Sequence, residues 1–392
     1  MKKSAESYDY SNSQVLDKVR EDESALLKML QQLVEIESPS DNKVAVDRCV
    51  DAVIAVAERL GARPKRHCQR QFGDVLELRF APPHRKAASA RPIMLLGHLD
   101  TVWPLGTLGK MPFRISDGHA WGPGTLDMKA GVAMGLIALR VLREVDALHR
   151  PVVFLLNSDE EVGSTASRPV TEKLARESEA VFVLEPAQGP KGAYKTARKG
   201  VGDYTLRVHG VASHAGVDFE RGHSAIHELA FQLEKVRGFT ELSRGLTVNA
   251  GVIRGGTRTN VVAAEAEAEI DVRIARSADA ARIDRKFRNL RVRDRGCVLQ
   301  VEGGMNRPPM ERSRGTVALF HRAATLARQI GFTLEEAATG GGSDGNFTAA
   351  LGVPTLDGMG GVGEGAHASH ESVVLRELVP RTALLAEMIR TT

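Results

Sequence analysis

Two imidazoles and a set of carboxylates are the residues here whose types and spacing can do chemistry. His98 and Asp100 follow the apolar run Ile93–Leu96. Asp159, Glu160 and Glu161 follow Val152–Leu156, Glu185 follows Ala180–Leu184, and Asp127 heads the long apolar stretch Met128–Leu148. A run near Val353–Leu356 leads through a glycine-rich loop to His367 and His370. Two imidazoles and three carboxylates can hold two divalent ions if one carboxylate bridges. Such a pair polarises a carbonyl, lowers the pKa of a water and clamps a tetrahedral intermediate. One further carboxylate must stay off the metal to move the proton, and the Glu160-Glu161 pair offers one of each kind. Asp100, two residues beyond His98, can accept the second ring N–H of that imidazole and fix its tautomer. Singly these residues have plainer uses: Asp127 as a helix N-cap, Glu160-Glu161 as a solvated loop. Their coincidence at successive strand ends favours a metal centre.

The elements that must position them are legible as apolar runs. Ile93–Leu96, Val152–Leu156 and Ala180–Leu184 are continuous rather than alternating, as expected of strands buried on both faces of a parallel sheet covered by helices. The carboxyl ends of parallel strands share one edge, where the functional crevice of an open α/β sheet lies. Residues 24–61 read as a helix pair, with Ser24 as a cap and a break at Ser38-Pro39-Ser40. From about residue 200 the pattern changes to β-α-β-β-α-β, the ferredoxin-like order. Within it, 264–274 alternates strictly, with Ala266, Ala268, Ile270, Val272 and Ile274 on one face and charges on the other. The expected fold is therefore α/β: a mixed, mostly parallel sheet flanked by helices, with an inserted ferredoxin-like α+β domain. The boundaries read as 1–198 and 309–392 for the first domain and 199–308 for the insert.

Composition narrows the function classes. The chain has 392 residues, 53 Lys+Arg against 49 Asp+Glu, and both signs are interspersed, which does not point to nucleic acid. No run reaches the ~18 apolar residues that span a bilayer. Met1–Ser24 lacks the apolar core of a secretory signal, so the expected location is the cytoplasm. Cys49, Cys68 and Cys297 show no CxxC spacing, which argues against both a disulfide framework and a thiolate zinc site. Seven Lys/Arg within 282–295 read as a solvated helix face, with an anion-binding patch as the sharper alternative. The 38 glycines cluster around the chemistry, at Gly97, Gly122, Gly124, Gly131 and Gly163 and again at 340–342 and 358–365. Gly340-Gly341-Gly342-Ser343-Asp344 lacks the lysine of a P-loop.

The segments Gly97–Val102, Gly122–Gly131, Asp159–Ser164, Glu185-Pro186 and Ala212–Gly216 resemble, in order and spacing, the co-catalytic zinc exopeptidases and deacylases of the glutamate carboxypeptidase type. The resemblance runs from about residue 24 to the end. It implies that Asp127 bridges two zinc ions, that His98 and Glu185 complete one and Glu161 and His367 the other. It makes Glu160 the general base and has Asp100 orient His98. Between His367 and His370 it selects His367, thirteen residues before Pro380, and leaves His370 near the site. It implies that His214 is a lid histidine that reaches across a homodimer formed by the insert and stabilises the oxyanion. Asn260, Arg273 and Arg307 are implied to bind a terminal carboxylate, and Gly341 and Gly342 to cradle the substrate. Mn²⁺ or Co²⁺ can replace Zn²⁺ at carboxylate-rich sites.

The function implied is hydrolysis of an amide bond that releases a C-terminal amino acid, foremost glutamate, from a small peptide or N-acyl conjugate. The segment Lys195–Gly200 is more basic than glutamate-releasing members carry, which keeps two other readings open: an N-acyl-amino-acid deacylase and a dipeptidase. A non-catalytic binding protein on the same fold is disfavoured by the intact base and ligand set.

Overall fold

The computed structural model describes residues 14–83 and 89–392, so the reading of residues 1–13 as free of a secretory signal lies outside the described residues. The chain divides into two compact units. The first runs through Thr196 and resumes over Arg312–Ala338 and Ser343–Thr392; the second comprises Ala197–Glu311 and Thr339–Gly342.

The first unit is built on a six-stranded sheet ordered Arg63–His67, Val75–Phe80, Val152–Asn157, Ile93–His98, Ala180–Val183, Thr355–Leu356. The last four are mutually parallel, and the first two add antiparallel at one edge. Alternate side chains of the parallel strands feed different cores. Ile93, Leu95, Val152, Phe154, Leu156 and Phe182 enter one that includes the helices Ala130–Glu144 and Leu375–Thr391. Met94, Leu96, Val153, Leu155, Val181 and Val183 enter another, with Leu174 and Ala175 of the helix Arg168–Glu177. Both faces are dry, which is why these strands read as continuous apolar runs.

The helix Ala130–Glu144 seats closely on the sheet. A Cβ at Gly131 would fall 2.0 Å from the carbonyl oxygen of Leu184, the residue before Glu185. Glycine there lets the helix that follows Asp127 approach the strand end that delivers Glu185. A smaller sheet, ordered Gly363–Glu364, Ser372–Val374, His119–Trp121, Arg114–Ser116, joins the stretch around His367 to the stretch leading into Asp127.

The start of the chain corrects one expectation. A helix Gln14–Glu21 precedes the expected pair, and Asp22, not Ser24, flanks the next helix, Glu23–Val34. Ser24 lies inside that helix, and the preceding helix buries Val15, Leu16 and Val19 behind a polar composition that hides it.

The second unit has the element order strand Gly200–His209, helix Ala225–Arg237, strands Thr247–Gly255 and Glu265–Ile274, helix Ala280–Arg288, strand Val298–Arg307. Its sheet order places Glu265–Ile274 and Gly200–His209 centrally, Thr247–Gly255 and Val298–Arg307 at the edges, all antiparallel. The helices cover one face, where Tyr204 stacks on Phe287 with ring centroids 3.9 Å apart. The other face is wet, with Arg207 paired to Glu267 and Glu302 and Arg254 paired to Glu269. In the basic helix Arg282 pairs with Glu241 and Asp279, and Lys286 with Glu241, as befits a solvated face.

Candidate metal centre

Three parallel strands and two loops deliver the acids and imidazoles of the first unit to one place. The Ile93–His98 strand ends in His98, whose side chain is 1% exposed. Asp127 lies in a loop that enters the helix Ala130–Glu144, with non-helical φ −113° and ψ 95°. Glu160 and Glu161 form a tight turn after the Val152–Asn157 strand. Glu185 follows the Ala180–Val183 strand. His367 adopts φ +62°, in the left-handed region that costs an L-residue energy, so the fold spends stability to hold this ring.

The distances sort these groups into two sets that share Asp127. His98 Nε2 lies 3.3 Å from Asp127 Oδ1 and 3.7 Å from Glu185 Oε1. His367 Nε2 lies 3.4 Å from Asp127 Oδ2 and 3.1 Å from Glu161 Oε2. Each oxygen of Asp127 thus faces a different histidine. Donors held about 2.0–2.2 Å from one tetrahedral ion lie roughly 3.3–3.5 Å apart, close to these separations. His98, Glu160 and Glu185 also present ligand atoms within 4.8 Å of one another.

The donor set fits divalent ions on a further observation. His98 Nε2, Asp127 Oδ1 and Glu161 Oε1 are buried without a hydrogen-bond partner. Buried polar atoms are rarely left so, and three of them converging from three segments are atoms reserved for a cation.

The surrounding contacts orient the set. His98 Nδ1 donates to the main-chain oxygen of Asp100 at 2.9 Å, which leaves Nε2 to face Asp127 and Glu185. The Asp100 carboxylate, expected to be that acceptor, is farther from the ring, at 3.5 Å. It is occupied instead by Ser40 Oγ at 2.7 Å and by the amides of Glu160 and Glu161 at 3.3 and 3.2 Å. Asp100 therefore anchors the Glu160-Glu161 turn, while its peptide carbonyl orients His98. Glu371, which nothing in the motif spacing marks, is fully buried and accepts from the amides of Gly124, Leu126 and Asp127. Ser40 and Glu371 escape sequence reasoning because their partners are mostly main-chain or distant groups.

Electrostatics reflect the crowding of acids. Burial would lower the pKa of His98, but the negative carboxylates of Asp100, Asp127 and Glu160 around the ring outweigh it and hold the imidazole well above its usual value. Burial would raise Asp127, yet the two histidines hold it below the usual carboxylate range. Burial pushes Glu371 up against the pull of its amide donors. Hydrogen bonds from the His367 ring to the carboxylates of Asp127 and then Glu161 raise its pKa from 6.5 to about 10. A raised folded-state pKa contributes stability that is fully present below the unfolded value and lost as pH rises through the folded one. In chelator-stripped protein, the melting-temperature advantage of the wild type over His367→Gln should therefore shrink from pH 6.5 to about 10. A difference that stays constant or widens over that range contradicts the pairing. Metal ions need the neutral imidazole, so metal uptake releases these protons.

His370 is exposed and no ligand group of the described residues gathers around it, whereas His367 contacts two carboxylates. In the second unit His214 and Asn260 are exposed on adjoining loops, where the Ala215 amide donates to the Asn260 carbonyl at 3.0 Å. Arg273 is half-buried and holds Asp271 through Nε and Nη2, with Nη1 on the Gly340 carbonyl at 3.3 Å. Arg307 is buried beside Gly342, where an added Cβ would fall 3.0 Å from its Cδ. Arg198, from the basic segment Lys195–Gly200, is buried and donates to the carbonyls of Gly341 and Gly342 at 3.3 and 3.1 Å. It holds the glycine loop in place, so its charge is not a free specificity determinant.

Residues 94–391 match the model of peptidase family M20/M25/M40. The chain is 28% identical over 375 residues to carboxypeptidase G2 of Pseudomonas sp. (strain RS-16), covering 93% of this chain and 88% of that protein. It is 28% identical over 325 residues to a succinyl-diaminopimelate desuccinylase of Dechloromonas aromatica, covering 78% of this chain and 84% of that one. In fold it is similar to an M20 family metallo-carboxypeptidase from Sulfolobus solfataricus, with a TM-score of 0.75 at 15% identity over 93% of this chain and 98% of the other. A tripeptidase from Staphylococcus aureus gives a TM-score of 0.75 at 22% identity, over 94% and 98%.

Proposed function

The chain belongs to peptidase family M20/M25/M40, and from that premise we propose that it is a dizinc hydrolase that releases a C-terminal amino acid, foremost glutamate, from a small peptide or N-acyl conjugate. Peptidase-type hydrolysis with divalent metal is what the family supports; the two zinc ions and the leaving group are the proposal. The observation that carries it is the position of Asp127, each of whose oxygens faces a separate histidine–carboxylate pair.

In this reading His98, Asp127 and Glu185 hold one ion, and Asp127, Glu161 and His367 the other. When bound, the ions would supply Lewis acidity that polarises the scissile carbonyl and lowers the pKa of an attacking water. Glu160 takes the proton of that water as it attacks and returns it to the departing amide nitrogen. Asp100 fixes the turn from which Glu160 acts. Arg273, Arg307 and Asn260 offer the donor chemistry that suits a terminal carboxylate, guanidinium groups above all. His214 is assigned to the oxyanion. The exposed edge strand Thr247–Gly255, with Val252 and Ile253 open to solvent, supports a homodimer through the second unit. Cys49, Cys68 and Cys297 are free thiols, which supports a cytoplasmic location. No helix among the described residues is long and apolar enough to cross a membrane.

A substrate panel separates the variants of this reading. Purified protein supplied with Zn²⁺ is assayed for amino-acid release from dipeptides ending in glutamate, N-acyl-glutamates, acetylated amino acids and neutral dipeptides. Turnover concentrated on the glutamate-terminated members is expected. Turnover confined to acetylated or neutral substrates moves the assignment to the deacylase or dipeptidase reading, and release from none of them sinks it.

A further inference from the structure

We propose that Glu371 is a positioning residue for the metal centre, locking the loop that carries Asp127 to the segment that carries His367 and thereby setting the affinity for divalent ions. The inference rests on the reading of these residues as a metal centre.

Glu371 is 1% exposed, yet its carboxylate is fully engaged. Oε1 accepts from the amides of Leu126 and Asp127 at 2.9 and 3.0 Å. Oε2 accepts from the Gly124 amide at 2.9 Å and from Trp103 Nε1 at 2.7 Å. The Gly122 amide adds a contact to the Glu371 carbonyl at 3.3 Å. The donors belong to two different stretches of chain. Trp103 lies five residues beyond His98, and Gly124–Asp127 is the loop that presents the shared carboxylate, while Glu371 itself lies four residues beyond His367. One carboxylate thus ties together the segments that deliver His98, Asp127 and His367.

The chemistry of the clamp is specific to a carboxylate. All four groups aimed at it are N–H donors, so both oxygens must accept. Glutamine keeps the shape but turns an NH₂ toward two of the donors and loses half of the clamp. Asp127 presents an oxygen to each histidine only while its loop keeps this path, and outer contacts of this kind orient ligands and tune metal affinity.

The test uses Co²⁺ as the probe, titrated into chelator-stripped wild type, Glu371→Gln and Trp103→Phe and followed by visible absorption, with melting of the stripped and loaded forms alongside. Glu371→Gln should weaken Co²⁺ binding by about 10–100-fold, the usual effect of losing an outer contact. It should also shift the visible band and shrink the rise in melting temperature on loading. Trp103→Phe, which removes one donor and leaves the three amides, should show the same changes to a smaller degree. A folded Glu371→Gln with wild-type affinity and band overturns the inference. If that variant does not fold, wild-type behaviour of Trp103→Phe overturns it. Failure of the wild type to take up Co²⁺ sinks the metal-centre reading and this inference with it.

Discussion

Glu160→Gln should retain its metal and lose turnover by roughly 10²–10⁴-fold. The substitution keeps the volume and the turn but removes the carboxylate proposed to take the proton. Glu160 stands next to Glu161 on a three-residue turn whose two amides are pinned by the Asp100 carboxylate. That pinning directs the two side chains to different tasks: Glu161 reaches His367 at 3.1 Å. Glu160 approaches His98 and Glu185. Metal per chain by elemental analysis and turnover on the best panel substrate are the two readouts. Unchanged turnover refutes the base assignment, and loss of metal recasts Glu160 as a ligand.

Asp127→Asn should have the larger effect on metal. It weakens the group shared by both histidine–carboxylate sets, so both ions should bind more weakly, by more than the ~10–100-fold that an outer contact costs. The same change withdraws the negative charge that holds His98 and His367 in their raised states. In stripped protein the His367 pKa should then fall from about 10 toward its ordinary value, observable by NMR titration of the imidazole. Retention of both ions after dialysis, with an unshifted His367 titration, contradicts the sharing of Asp127.

The parts of the architecture that were legible in the sequence are those in which side-chain type reports burial. Continuous apolar runs mark the parallel strands because both of their faces are dry. Strict alternation marks Glu265–Ile274, whose Ala266, Ala268, Ile270, Val272 and Ile274 are buried and whose Arg273 is not. The candidate ligands could be read because parallel strands end on one edge and their terminal residues have types that bind metal. What escaped is whatever depends on the main chain. Glu371 is identified by three backbone amides, and the tautomer of His98 by the peptide oxygen of Asp100 rather than its carboxylate. The small sheet that brings the His367 segment to the Asp127 loop is made of two- and three-residue strands, too short to leave a pattern. The polar surface of Gln14–Glu21 conceals a buried stripe of three residues.

The central claim is that amide hydrolysis here depends on two divalent ions held by His98, Asp127, Glu161, Glu185 and His367. It is tested most directly by adding Zn²⁺ stepwise to chelator-stripped protein while following amino-acid release from an N-acyl-glutamate or the best panel substrate. The account predicts no release without metal and a rate that climbs and levels off at about two ions per chain. A stripped protein that hydrolyses as fast as the loaded one, or a rate already complete at one ion, contradicts it.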